Sequence, residues 1–193
     1  SATMTAVLGA GEVQADIVVD SISINDLAVP AIWLRSRWDF VQNRAGILVQ
    51  QRENLDTLVR GFYAPSQKRY YARATLDSVE LSALDPLLKG VIEKTGGNAD
   101  VDIALRGSGK EATLSGQIAV RDFTTTVDFT QVTYTMPRAV IEVRNNHLTA
   151  EGVPLYDPEK NEGLFSIDLN LEHLSNISYS VKVLPKELMV LNT

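Results

Sequence analysis

Apolar and polar residues alternate along most of this chain, and the alternation restarts about every ten to twelve positions. Strict period two puts every second side chain on one face of an extended backbone, so the pattern predicts short, half-buried strands rather than helices. Val13, Ala15, Ile17 and Val19 share the first such face, with Glu12, Gln14 and Asp16 opposite. The rhythm slips at Asp20-Ser21 and continues as Ile22 and Ile24, which predicts a bulge or tight bend. Ile32, Leu34, Trp38 and Phe40 then oppose Trp33, Arg35, Arg37 and Asp39. Further apolar segments run over 47–49 and 58–62, Pro65-Ser66-Gln67 breaks the chain, and Tyr70, Ala72, Ala74 and Leu76 resume a strand.

One segment departs from this rhythm. Asp85-Pro86 reads as an N-cap and first helical residue, Leu87, Leu88, Val91 and Ile92 fall on one helical face, and Gly96-Gly97 supplies a stop. The spacing predicts one short helix near 86–94, about 13 Å long. Too short to stand alone in water, it is expected to lay those four apolar residues against the sheet as a cap.

Beyond it the alternation becomes more regular. Val101, Ile103 and Leu105 oppose Asp100, Asp102 and Arg106, and Gly107-Ser108-Gly109-Lys110 turns the chain. Leu114, Ile118 and Val120 follow, then Phe123, Val127 and Phe129, then Val132, Tyr134 and Met136, then Ile141 and Val143. Asn145-Asn146 and 157–161 read as turns, and Phe165, Ile167, Leu169, Leu171, Ile177, Tyr179, Val181, Val183, Leu188 and Val190 complete the pattern. The expected fold is all-β: a curved, meandering, mostly antiparallel sheet. Its organisation is 1–77 for the N-terminal strands, 78–96 for the helical cap and 97–193 for the C-terminal strands, together one continuous domain.

Such a sheet buries its apolar face by packing two layers, by closing into a barrel, or by bending so that its halves face each other. The first two leave a filled core. The third leaves a taco-like trough whose lining gains about 25 cal/mol for each Å² kept from water, and which therefore takes a lipid, a peptide or another chain.

Charge and composition narrow the function classes. The formal net charge of -6 argues against nucleic acid and other polyanionic partners. Between Arg35 and Arg73, however, eight basic residues face three acidic ones, so that stretch is net +5 and the remainder net -11. The commoner reading is a wet strand face, and the alternative is contact with an anionic ligand. There is no cysteine, which removes disulfides, thiolate metal sites and cysteine nucleophiles. No run of apolar residues reaches the length of a membrane span, and the N-terminus lacks a signal-peptide pattern. The abrupt start at Ser1-Ala2-Thr3-Met4 and the apolar end lead us to expect a fragment of a longer protein, with any membrane anchor outside it. His147 and His173 have no partner at metal-ligand spacing, so no metal or cofactor is expected. Asp100 and Asp102 are conceivable as a glycosidase pair, although solvated strand carboxylates are commoner. No nucleophile elbow, phosphate loop or dinucleotide fingerprint occurs, and no enzyme is expected.

Three stretches in order carry a family resemblance. Leu81 to Gly90 is leucine-rich, Gly97 to Gly107 is an alternating strand between glycines, and Ala112 to Phe123 contains leucine-x-glycine-x-hydrophobic-x-hydrophobic-x-aspartate-aromatic. With the closing Val183 to Thr193, ending Leu-Asn-Thr, they resemble the C-terminal region of the TamB translocation and assembly module family, AsmA-like proteins of diderm bacteria. The resemblance spans roughly 70–193. It implies a periplasmic, inner-membrane-anchored cell-envelope protein built of β-taco repeats. An Omp85-type outer-membrane barrel would be its partner, and it would act in phospholipid movement to the outer membrane and in outer-membrane protein assembly. By position, the family's apolar interior falls on Val101, Ile103, Leu105, Leu114, Ile118, Val120, Phe123, Val127, Phe129, Tyr134, Ile141, Val143, Ile167, Leu169, Leu171, Tyr179 and Val181. Three functions stay open: a groove shielding the acyl chain of a phospholipid or other lipid, a scaffold that pairs an edge with incoming outer-membrane strands, and a closed structural or adhesin-like sandwich.

Overall fold

The structure, a computed structural model, describes residues 2–9, 11–20, 22–24, 27–29, 31–86, 88–171 and 178–189. It is all-β, as the alternation predicts. Twelve strands pair in one sheet in the order β1 (Ala2–Gly9), β2 (Glu12–Val19), β5 (Ile32–Asp39), β6 (Arg44–Gln51), β7 (Thr57–Ala64), β8 (Arg69–Glu80), β9 (Ile92–Ser108), β10 (Glu111–Val127), β11 (Val132–Arg144), β12 (His147–Tyr156), β13 (Glu162–Asn170) and β14 (Ser178–Pro185). The short strands β3 (Ile22–Ile24) and β4 (Leu27–Val29) pair separately with each other. Every register resolved in the sheet is antiparallel, as short connections between consecutive strands require.

The chain forms two compact units, one of Ser1–Thr75 with Asp102–Leu114, the other of Leu76–Val101 with Ser115–Thr193. The division falls within β8, β9 and β10 rather than at the boundaries 77 and 97 read from the sequence. Long strands explain this: β9 and β10 each run 17 residues, so their two halves belong to different units without any linker between them.

Among the described residues the expected helix is absent. A 3-10 turn spans Leu81–Leu84, followed by isolated turns, and β9 already begins at Ile92. Two local interactions redirect the chain. Both oxygens of the Asp85 carboxylate accept the Thr95 amide at 3.1 Å, tying the turn to β9 instead of capping a helix. Gly90, at φ +86°, leaves the helical path. Leu88 and Val91 are therefore exposed, Ile92 is half-buried as a strand residue, and Leu87 lies outside the described residues. The apolar cap comes one turn earlier, from buried Leu81 and from Leu84 packed against the core.

In the second unit the alternation restarts along a seam. Val120 and Phe123 both pack inward although three positions apart, because Asp122 between them adopts φ +51°. Met136 and Ala139 on β11, and Ala150 and Val153 on β12, repeat the slip, the latter at Gly152 with φ +63°. Such irregularities re-aim side chains and sharpen local twist. Gly97 lets β9 pass the seam: at φ +97°, an added Cβ would lie 2.5 Å from the Asp122 carbonyl oxygen and 2.6 Å from that of Arg121.

Candidate functional site

The first unit presents one apolar and one ionic face, and the strand registers show how each is built. Met4, Ile17, Leu34, Val49, Val59 and Ala74 stand opposite one another in sequence across β1, β2, β5, β6, β7 and β8. At about 4.8 Å between strands, this row is about 24 Å long. A parallel row runs Leu8, Val13, Trp38, Ala45, Tyr63 and Tyr70, and between the two lie Ala6, Ala15, Ser36, Ile47, Gly61 and Ala72. Tyr70 lies across Gly107, where any side chain would collide with its ring, and its hydroxyl donates to the Glu111 carbonyl at 2.9 Å. None of the residues in these rows is buried: Ile17, Leu34, Trp38, Val49 and Val59 are all half-exposed, and Met4 and Leu8 more so.

The opposite face carries the arginines of the basic stretch. Their carboxylate partners come largely from outside it: Arg35 with Asp16 at 3.1 Å, Arg37 with Glu12, Arg52 with Asp20, and Arg73 with both oxygens of Asp102 at 2.7 and 2.5 Å. Arg35 also lies 4.3 Å from the Trp33 ring centre, Arg44 3.9 Å from Phe62 and Arg106 5.6 Å from Tyr71. The local excess of +5 is thus offset in space, the wet-face arrangement expected of surface strands.

In the second unit the apolar side is a filled core. Leu81, Ala99, Val120, Met136, Ala139, Ala150, Val153, Leu155 and Leu188 are buried together, with Ile118, Phe123, Tyr134, Ile141, Phe165 and Ile167 packed against them. Val132 and Val143 are only 1% exposed.

The predicted lining residues therefore divide. Val101, Ile103, Leu105, Leu114, Ile118, Phe123, Val127, Tyr134, Ile141, Ile167, Leu169 and Leu171 are half-buried. Val120 and Val143 are enclosed by the chain's own side chains rather than lining an open surface. Phe129 sits in the turn between β10 and β11 and is 89% exposed, because the strand ends at Val127 and Asp128–Gln131 close the hairpin. Tyr179 and Val181 are exposed on edge strand β14, opposite Leu169 and Ile167. The lining list missed the rows of the first unit, although the alternation of β2 and β5 marked them as strands. It also missed Leu188, which reads in sequence as one more strand residue.

Asp100 and Asp102 are each held by an arginine. Hydrogen bonds from Arg121, then from the Ser78 amide, hold Asp100 below the usual carboxylate range, and Arg73 does the same for Asp102. His147 pairs with Asp168 at 2.6 Å, and His173 lies outside the described residues. Among the described residues no group of three or more potential ligands could hold a metal, and no helix is long and apolar enough to cross a membrane.

No family model, curated protein or solved structure matches the chain.

Proposed function

We propose that this chain belongs to a TamB-like cell-envelope protein that shields phospholipid acyl chains on an apolar β-sheet face. They would pass between inner and outer membranes through the periplasm, with an Omp85-type barrel as the distal partner. One observation carries the reading: the rows from Met4 to Ala74 and from Leu8 to Tyr70 form a broad apolar face, and none of the residues in them is buried. An acyl chain needs only a continuous apolar wall while its headgroup stays in water, so no convergent polar groups are required. Covering the face gains about 25 cal/mol per Å².

Native mass spectrometry with lipid extraction, on protein purified from bacterial membranes without detergent, tests this. Near-stoichiometric phospholipid is the expected result. Leu34 sits mid-row and half-exposed, so Leu34→Arg places a charge against the acyl chain at a cost of at least about 2 kcal/mol. Bound lipid should then fall more than about tenfold. A clean apo mass, or lipid retained by the arginine variant, refutes the proposal.

The edges favour a second reading, a scaffold that pairs with unfolded outer-membrane strands. β1 and β14 are the two edges of the sheet and every residue of each is exposed, and β1 carries neither a charge nor a proline to guard it against another strand. Under that reading a proline scan along Ser178–Pro185 abolishes function while Leu34→Arg is tolerated.

A further inference from the structure

Past β14 the chain bends, and the Lys186 amide donates to the Glu162 carbonyl at 3.2 Å while its ammonium pairs with the Glu162 carboxylate at 2.8 Å. Leu188 then enters the core of the second unit, 8% exposed, directly over Gly163. The missing side chain of Gly163 makes the room, since a Cβ there would lie 2.9 Å from Leu188 Cγ and 3.2 Å from the Leu184 carbonyl oxygen. Met189 is held by its main chain. Its amide donates to Asp157 Oδ2 at 2.8 Å, and the Tyr134 hydroxyl donates to its carbonyl oxygen at 2.8 Å.

Asp157 is held by more than the tail. Asp157, 3% exposed, also accepts the amides of Glu159 and Asn161 and the Asn161 side-chain amide, each at 2.9 Å. Burial pushes its carboxyl up, but these donors and the Met189 amide more than offset that and keep it ionised as an acceptor. Burial, with the nearby Asp157 charge, pushes the Tyr134 phenol up and keeps it protonated as a donor. The tail is lightly held in comparison. Residues 182–187 leading into it are all exposed, so among the described residues release of Leu188-Met189 gives up one buried leucine and the two Met189 hydrogen bonds while regaining chain freedom.

We infer that Tyr134, Asp157 and Gly163 form a binding site for an extended polypeptide segment, occupied in cis by Leu188-Met189 and open to an incoming segment when the tail leaves. The ligand is defined by chemistry: a leucine-sized side chain that fills the notch, followed by an ordinary peptide unit offering one N–H and one C=O. An acyl chain offers neither along its length, so this site is distinct from the apolar face of the first unit and does not rest on the lipid reading.

Fluorescence anisotropy on the full chain tests it, with a labelled peptide of the sequence 184–192. Leu188→Asp empties the site, and it should bind the peptide at least about tenfold more tightly than the wild type, whose site is already filled. Adding Gly163→Val to that variant should abolish binding, as should an Asp in place of Leu188 in the peptide. Equal affinity for wild type and Leu188→Asp, or binding that survives Gly163→Val, overturns the inference, as does no binding to a folded Leu188→Asp. Should Leu188→Asp fail to fold, amide exchange on the wild type decides: the Met189 amide should exchange at least about 100-fold slower than in a free chain and lose that protection under excess peptide. An unprotected amide, or one indifferent to peptide, overturns the inference equally.

Discussion

Gly97→Ala should be among the most damaging single-methyl additions in the second unit. Gly97 sits at φ +97°, outside even the left-handed well that L residues occasionally adopt, so an alanine there costs about 1–2 kcal/mol in backbone strain. The new Cβ would also stand 2.5 to 2.7 Å from three backbone atoms of Arg121 and Asp122, which cannot swing aside as a side chain can. Relieving that overlap means prising β9 from β10 at the seam, an overpacking cost of about 1–3 kcal/mol. The sum is about 2–5 kcal/mol. Urea unfolding followed by far-ultraviolet circular dichroism, at about 2 kcal/mol per M, should move its midpoint down by about 1–2.5 M. Gly152→Ala is the control, because Gly152 also has positive φ, at +63°, but nothing within 4 Å of its Cβ position. It should cost only about 1 kcal/mol. Equal losses for the two variants would mean that β9 and β10 do not approach at Gly97 as described, and the account of the seam would fail.

Val143→Ala removes two carbons from a side chain 1% exposed and should destabilise by about 2–3 kcal/mol in the same titration, whereas an open, lipid-lined position would lose under about 1 kcal/mol. Tyr70→Phe deletes the hydroxyl donated to Glu111 while leaving the ring over Gly107, and a thermal melt should register about 1 kcal/mol of loss. Asp100, Asp102 and Asp157 have carboxyls held below their ordinary range, so the unfolded chain binds the protons first as pH falls. Their contribution is present above the unfolded pKa and lost as pH falls through the folded values. The urea midpoint should hold from about pH 8 to about pH 5 and drop below about pH 4, and a midpoint that rises there would contradict the ion-pair assignments.

Alternation alone carried the fold class and most strands, because a period of two is a local property that one face in water and one face in oil imposes on any sheet. Where it failed, a turn or a local hydrogen bond had decided. Leu88, Val91 and Ile92 went to turns and a strand because the Asp85 carboxylate found the Thr95 amide and Gly90 left the helical path. Phe129 continued the alternation of β10 in sequence, yet the hairpin had already closed at Val127.

The sequence by itself determined that this is an antiparallel β meander with one apolar face and that its basic stretch lies on a polar one, since both follow from which side chains share a parity. Only the tertiary structure decided that the apolar rows of the first unit stay open to solvent while the second unit's core is filled, and that Leu188 leaves the strand pattern to lie over Gly163. Parity says which way a side chain points. What meets it there depends on long-range register, on the seam of positive-φ residues and on the one glycine that leaves room, none of which is written in the neighbouring sequence.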